Sequence, residues 1–229
     1  DGIIQSGGLD MVGAGARKGT HMTLIVHHLN NSRSQRILWL LEEIGRPYEI
    51  RHYQRDAVTN LAPPELLKVH PLGKSPVIED QGRIVYESGA ITEYVCERHG
   101  GEAFVPARGT DDHVRHLELI HFAEGSAMTP ILLGLYAGRL GEAAAALMPR
   151  IGQQLDSHFD FMESQLNDAG HFIGNSLSAA DFMLSFPAEV AVMQGRTATR
   201  PKLAAFVGMI HARAAWQRAL EKGGPYSFA

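Results

Sequence analysis

Ser75-Pro76, Glu87-Ser88 and the loop Asn30-Asn31-Ser32-Arg33-Ser34 hold residue types that could bind a small peptide and activate it. A proline opening a strand gives up a ladder donor, so it belongs at an edge or in a special backbone shape. If the Ser75–Pro76 bond is cis, residue 75 turns its N–H and C=O toward a peptide ligand, as an added strand would. A trans proline ending a loop is the plainer alternative. Lys74 could reach a ligand carboxylate. Ser88 and the free N–H groups of the helix it opens can bind a second carboxylate, and Glu87 can face an ammonium. A ligand carrying both groups on one carbon would suit that adjacent pair. The competing reading is a plain N-cap, although no Glu or Gln follows three residues on to complete a capping box.

The first loop leads from a short apolar run into a helix, where backbone N–H groups and the helix dipole favour an anion. A redox protein would place a cysteine pair in such a loop. None is there, so any thiol chemistry must use a thiol that the ligand brings. Ser32 is the first choice to hold that sulfur, because its hydroxyl can donate to a thiolate without removing the proton itself. Lowering a thiol pKa by about two units takes roughly 2.7 kcal/mol. A charge-assisted hydrogen bond plus a helix N-terminus is of that size. Asn31, as an amide donor, Ser34, and Arg33, as a nearby cation, are the further candidates. Ser34 lies nearest the apolar run and is expected to cap the helix.

These residues need a scaffold, and the elements follow from pattern. Thr23 to His28 is β-prone. Ile37, Leu38, Leu40, Leu41 and Ile44 repeat at helical spacing, and Gly45 stops that helix before Pro47. Tyr48 to Tyr53 alternates as a strand, and Pro63-Pro64-Glu65-Leu66-Leu67 starts a short helix. Pro76 to Asp80 and Arg83 to Tyr86 form a hairpin around Gln81-Gly82, and Ser88 to His99 is helical. The alternating front predicts a parallel pair, with the hairpin as an antiparallel edge. Residues 22–100 are thus expected to form one α/β domain, 101–109 a linker, and 110–229 an all-helical domain. In the latter, Asp111 and Asp112 start a helix that Gly125-Ser126 and Pro130 bend rather than end. Further helices are expected from Glu142 to Asn167, Ala179 to Gln194, and Pro201 to about Lys222.

The 229 residues are 45% apolar and 20% charged, with a formal charge of −4, which offers no electrostatic case for nucleic acid or an anionic membrane. The single cysteine, Cys96, excludes an internal disulfide framework and suits a reducing, cytoplasmic setting. No window reads as a membrane span. The glycine-rich residues 1–21 lack the apolar stretch of a signal peptide. His21-Met22 reads as a cloning junction, so 1–21 are taken as a tag remnant.

Other features point mostly to structure. Ser178-Ala179-Ala180-Asp181 reads as a capping box, with Leu177 able to staple onto Phe182. Cys96 sits on an apolar helix face. His113 and His116 are at i,i+3 with no third ligand in a zinc pattern, and His27 and His28 face opposite sides of a strand, so no metal is expected. Met128, Leu132, Leu135 and Tyr136 read as core at helical spacing. Of these, Met128, Leu132 and Tyr136 could also line an apolar pocket between the domains.

From Met22 onward the chain resembles the cytosolic glutathione S-transferases. Gly73-Lys74-Ser75-Pro76, Glu87-Ser88, Ser178-Ala179-Ala180-Asp181, and Ser32 through Glu43 carry the resemblance, the last to bacterial and fungal members. It implies a thioredoxin-like N-terminal domain followed by a helical one, glutathione as co-substrate, an electrophile bound mainly against the helices, and a homodimer. The first loop has neither cysteine nor a nearby tyrosine, which resembles the serine- or asparagine-type branch. Position 75, often valine in the family, is serine here. The expected activity is conjugation of the glutathione thiolate to small apolar electrophiles. The alternatives are a glutathione-dependent disulfide or peroxide reductase, and a non-catalytic glutathione-binding regulatory protein.

Overall fold

The computed structural model describes residues 23–229. The expectations of a tag remnant at 1–21 and a start at Met22 lie outside the described residues. Four strands, β1 (Leu24–Leu29), β2 (Tyr48–Tyr53), β3 (Val77–Asp80) and β4 (Arg83–Tyr86), form one sheet in the order β2-β1-β3-β4. β1 and β2 are parallel, with Leu24 opposite Tyr48, while β3 runs antiparallel to both β1 and β4. The hairpin turns at Gln81 (φ 51°) and Gly82 (φ 79°), two left-handed residues of the kind a two-residue turn requires.

Helix α1 (Gln35–Ile44) connects the parallel pair. Its apolar face, Ile37, Leu38, Leu40 and Leu41, is fully buried together with Trp39. Each such side chain is worth roughly 1.5–3 kcal/mol when removed from water. Gly45 ends the helix in the left-handed region (φ 75°) and returns its N–H to the Leu41 carbonyl at 3.0 Å. Helix α2 (Ser88–His99) closes the sheet half. Its Cys96 is buried, and burial pushes the thiol pKa up to about 12, so it is a packing group and not a nucleophile.

The second half is helical: α3 (Asp111–Phe122), α4 (Met128–Gly138), α5 (Met148–Gln165), α6 (Ala179–Met193), α7 (Pro201–His211) and α8 (Ala214–Gly223). A π-helical turn, Ala123–Ala127, joins α3 to α4, so the long helix is deformed at Gly125-Ser126 without ending. Two expected boundaries are corrected. α5 begins at Met148 rather than Glu142, with Pro149 in its first turn, and a short 3₁₀ turn occupies Gly141–Ala144. The helix expected from Pro201 to Lys222 is two helices, broken where Arg213 reaches across to Glu43 of α1.

The halves share one core. Trp39 of α1 packs on Phe182 of α6 with ring centroids 4.4 Å apart. α8 is tied back to α1 through Glu42, which accepts hydrogen bonds from Tyr48 and Arg218 at 2.9 Å and pairs with Lys222. No described helix is long and apolar enough to cross a membrane.

Candidate functional site

The end of β1, the turn before β3 and the start of α2 meet along one side of the sheet. A pocket there is lined by Arg33, His70, Leu72, Lys74 to Val77, and Tyr86 to Ser88. Six residues singled out in the sequence, Arg33, Lys74, Ser75, Pro76, Glu87 and Ser88, therefore face one space. Asn31, Ser32 and Ser34 stand in the adjoining first loop but outside this lining.

The Ser75–Pro76 bond is cis. The serine side chain has a structural task, because Ser75 Oγ donates to the His27 carbonyl at 2.8 Å and accepts from the Leu29 N–H at 3.2 Å. That hydroxyl stitches the turn to the end of β1. Among the described residues, no loop or turn hydrogen bond uses the Ser75 N–H or C=O.

Glu87 precedes α2 with φ 68° and ψ 123°, a conformation that a residue with a Cβ adopts at a cost of about 1–3 kcal/mol. Its side chain makes no cap hydrogen bond. Glu87 is exposed while Ser88 behind it is 4% exposed. The first-turn N–H groups of α2 therefore open on the pocket without a capping side chain.

In the first loop, Asn31 is also left-handed (φ 50°). Ser34 occupies the N-cap position of α1 but its side chain makes no cap hydrogen bond. The expectation that it caps is thus corrected, and the reason lies in a buried polar chain. Ser34 Oγ lies 2.9 Å from His28 Nδ1 and 2.7 Å from Ser32 Oγ, and the Ser34 N–H donates to Ser32 Oγ at 3.2 Å. His28, Ser32 and Ser34 are all nearly inaccessible. Burial, with His52 nearby, outweighs a hydrogen bond to the Gly223 backbone and holds the His28 pKa down to about 4, so the ring is neutral at pH 7.

Arg33 pairs with Glu124 of the π-helical turn, as does Arg36, whose Nη2 is 2.7 Å from the carboxylate. Burial alone would raise the Glu124 pKa, but the two guanidiniums hold it below the usual range. Arg33 therefore reaches the pocket as a cation already half neutralised.

Several site residues escaped sequence reasoning. His70 and Tyr86 form a ring pair at the pocket wall, with centroids 4.1 Å apart. Arg55 clasps the first loop, its Nε donating to the Asn30 carbonyl at 3.1 Å while its N–H donates to Asn30 Oδ1 at 2.8 Å. Neither carries a local pattern, since each acts on a segment distant in sequence. Of the residues expected as core that could also line a second pocket, Met128 is 2% exposed and packs in the core at the start of α4. Leu132 is partly buried and Tyr136 is 57% exposed on the same helix. Beyond that helix end, Val58 to Leu61 and Arg139 border an open surface hollow. Among the described residues, no group of three His, Cys, Asp or Glu side chains could hold a metal ion.

The family described as "Glutathione S-transferase, N-terminal domain" matches residues 22–97. Glutathione S-transferase 1 of Saccharomyces cerevisiae is 32% identical over 189 residues, covering 72% of this chain and 80% of that protein. Glutathione S-transferase 3 of Schizosaccharomyces pombe is 33% identical, covering 72% of each. A crystal structure of a glutathione S-transferase from Actinobacillus pleuropneumoniae superposes with a TM-score of 0.81 at 31% identity, over 90% of this chain and 95% of that one. A sphingomonad glutathione S-transferase, solved in complex with glutathione, has a TM-score of 0.71 at 25% identity, over 87% of this chain and 98% of that one. With its sheet, its helical half and the pocket between the first loop, the turn before β3 and the start of α2, the chain belongs to the glutathione S-transferase family.

Proposed function

We propose that the protein conjugates the thiolate of glutathione to small, mostly apolar electrophiles. The observation that carries this reading is the convergence of Ser75, Glu87 and Ser88 on one pocket beside a cysteine-free first loop. The γ-glutamyl carboxylate binds the Ser88 N–H and hydroxyl at the start of α2, where the helix dipole favours it, and its ammonium faces Glu87. The cysteinyl unit pairs with the Ser75 main chain, and Lys74 with Arg33 neutralises the far carboxylate. The sulfur then points to the loop Asn31–Ser34, whose donors hold it as thiolate. In the reaction the thiol proton leaves to solvent, sulfur forms a bond to the electrophilic carbon, and the leaving group departs with its electron pair. Most of the acceleration comes from the thiolate fraction and from positioning.

The electrophile rests against Leu132 and Tyr136 of α4, with the hollow bounded by Val58, Leu61 and Arg139 as its outer margin. The working form is a homodimer in the cytoplasm. Steady-state turnover of an aryl halide, set beside turnover of a glutathione mixed disulfide, tests the reaction class. Faster chemistry on the halide supports conjugation. Activity on the disulfide alone makes the protein a reductase, and tight glutathione binding with neither activity makes it a binding protein.

A further inference from the structure

Two hydrogen-bonded assemblies meet at the first loop, and counting their protons separates its two nearest sulfur donors. The Gly223 backbone at the end of α8 hydrogen-bonds the His28 ring in the sense that favours its charged form, so the ring is the donor. Nε2 is the edge beside Gly223, 3.4 Å from where a Cβ there would stand, and the neutral ring therefore carries its proton on Nε2 and leaves Nδ1 as an acceptor. The Ser34 hydroxyl, 2.9 Å from Nδ1, has one proton and gives it to that nitrogen; its other acceptor, the Leu29 carbonyl, lies farther off at 3.4 Å. Whichever of the two it takes, the proton on the 2.7 Å contact between Ser34 Oγ and Ser32 Oγ must come from Ser32. The Ser32 hydroxyl is therefore directed inward, in a side chain only 5% exposed.

Asn31 stands in the opposite state. Its Oδ1 accepts from the Ser227 N–H at 2.8 Å. A backbone N–H can only donate, so the amide oxygen is fixed toward Ser227 and the amide nitrogen, with two protons, is turned away from it. No hydrogen bond of that nitrogen is present among the described residues. The segment that holds Asn31 is itself anchored: the Tyr226 hydroxyl donates to Glu189 of α6, and Phe228 packs on Phe186 of α6 with centroids 5.0 Å apart.

We propose that the Ser227 main chain is a positioning group for the reaction, turning the Asn31 amide so that it donates to the glutathione sulfur, while His28 and Ser34 draw the Ser32 hydroxyl away from that task. This rests on the reading that glutathione binds with its sulfur at the first loop. The helical half thereby sets the reactivity of a thiol held by the sheet half.

The test uses the full chain and five variants: N31G, which keeps the left-handed backbone, S227P, which deletes the main-chain N–H, the double variant, S32A, and Y226F. Calorimetry gives the glutathione Kd, and thiolate absorbance against pH gives the bound thiol's pKa. Turnover of an aryl halide gives kcat. N31G is expected to lower kcat about 10- to 100-fold and raise the bound thiol pKa, with Kd changed less than about threefold, the range of one hydrogen bond to a charged group. S227P loses about fivefold in kcat and nothing more when N31G is already present, as a positioning role demands. S32A loses several-fold less than N31G. Y226F, which loosens the same segment without touching residue 227, follows S227P and guards against a proline that disturbs folding. Equal losses in S32A and N31G, or an S227P loss that multiplies with N31G, overturn the proposal. Wild-type protein that fails to bind glutathione, or binds it with an unshifted thiol pKa, overturns the underlying reading instead.

Discussion

At the start of α6, the Asp181 carboxylate accepts hydrogen bonds from the Ser178 N–H and hydroxyl at 2.7 Å and from the Phe172 N–H at 3.1 Å. At the start of α2, Glu87 and Ser88 offer the same residue chemistry, an acid beside a serine, but the acid precedes the serine and caps nothing. Asp181 is fully buried, while Glu87 is exposed on a pocket wall. The spacing decides the outcome. Three residues apart, acid and serine satisfy one another across a single helical turn and stabilise the fold. Adjacent, they cannot, and the first-turn N–H groups of α2 are left without a capping side chain.

The largest effect expected from this contrast is on stability. Asp181→Ala strands three buried donors and should cost about 3 kcal/mol of unfolding free energy, read by denaturant titration, with glutathione affinity of the remaining folded protein unchanged. Loss of affinity at equal occupancy of the folded state would break the division between the two helix starts.

A comparable effect is expected from pH, and it sharpens the contrast between buried and open polar groups. His28 has a folded pKa of about 4 against 6.5 unfolded. Between those values the unfolded chain binds a proton that the folded chain refuses, so stability is full above pH 6.5 and falls as pH drops toward 4. The loss approaches about 3 kcal/mol at most. His28→Asn should flatten the stability profile in that window; an unchanged slope would mean that His28 does not set it.

Smaller effects belong to the open helix start. Glu87→Gln should weaken glutathione binding about tenfold, and Ser88→Ala about threefold, by calorimetry. Both should shift unfolding free energy by less than about 0.5 kcal/mol. Stability losses like that of Asp181→Ala would turn Glu87 and Ser88 into structural residues.

The scaffold was legible because its signals are local. The α1 face repeats at helical spacing and stops at a glycine that the left-handed end requires, and Gln81-Gly82 supplies the turn between two short strands. The site rim was legible for the same reason, since Ser75-Pro76 and Glu87-Ser88 each sit at the end of an element. Proline 149 was an overlooked signal for the start of α5. The break between α7 and α8 has no such marker: helix-forming residues run through it, and it falls where Arg213 turns extended (ψ 134°) and pairs with Glu43 far away in sequence. The polar chain from His28 to Ser32 was hidden too. It depends on the path of the loop between β1 and α1, which folds Ser34 back under the strand end and takes it away from capping. Asn31 meeting Ser227 is a contact across 196 positions that no window of sequence contains.

The most direct measurement is a crystal structure with glutathione bound. The expected result places the γ-glutamyl carboxylate within about 3.2 Å of the Ser88 N–H, its ammonium at Glu87, the cysteinyl main chain against Ser75, and the sulfur beside Asn31. A tripeptide lodged elsewhere, or lying in the pocket with its glycyl end at Ser88, would contradict it.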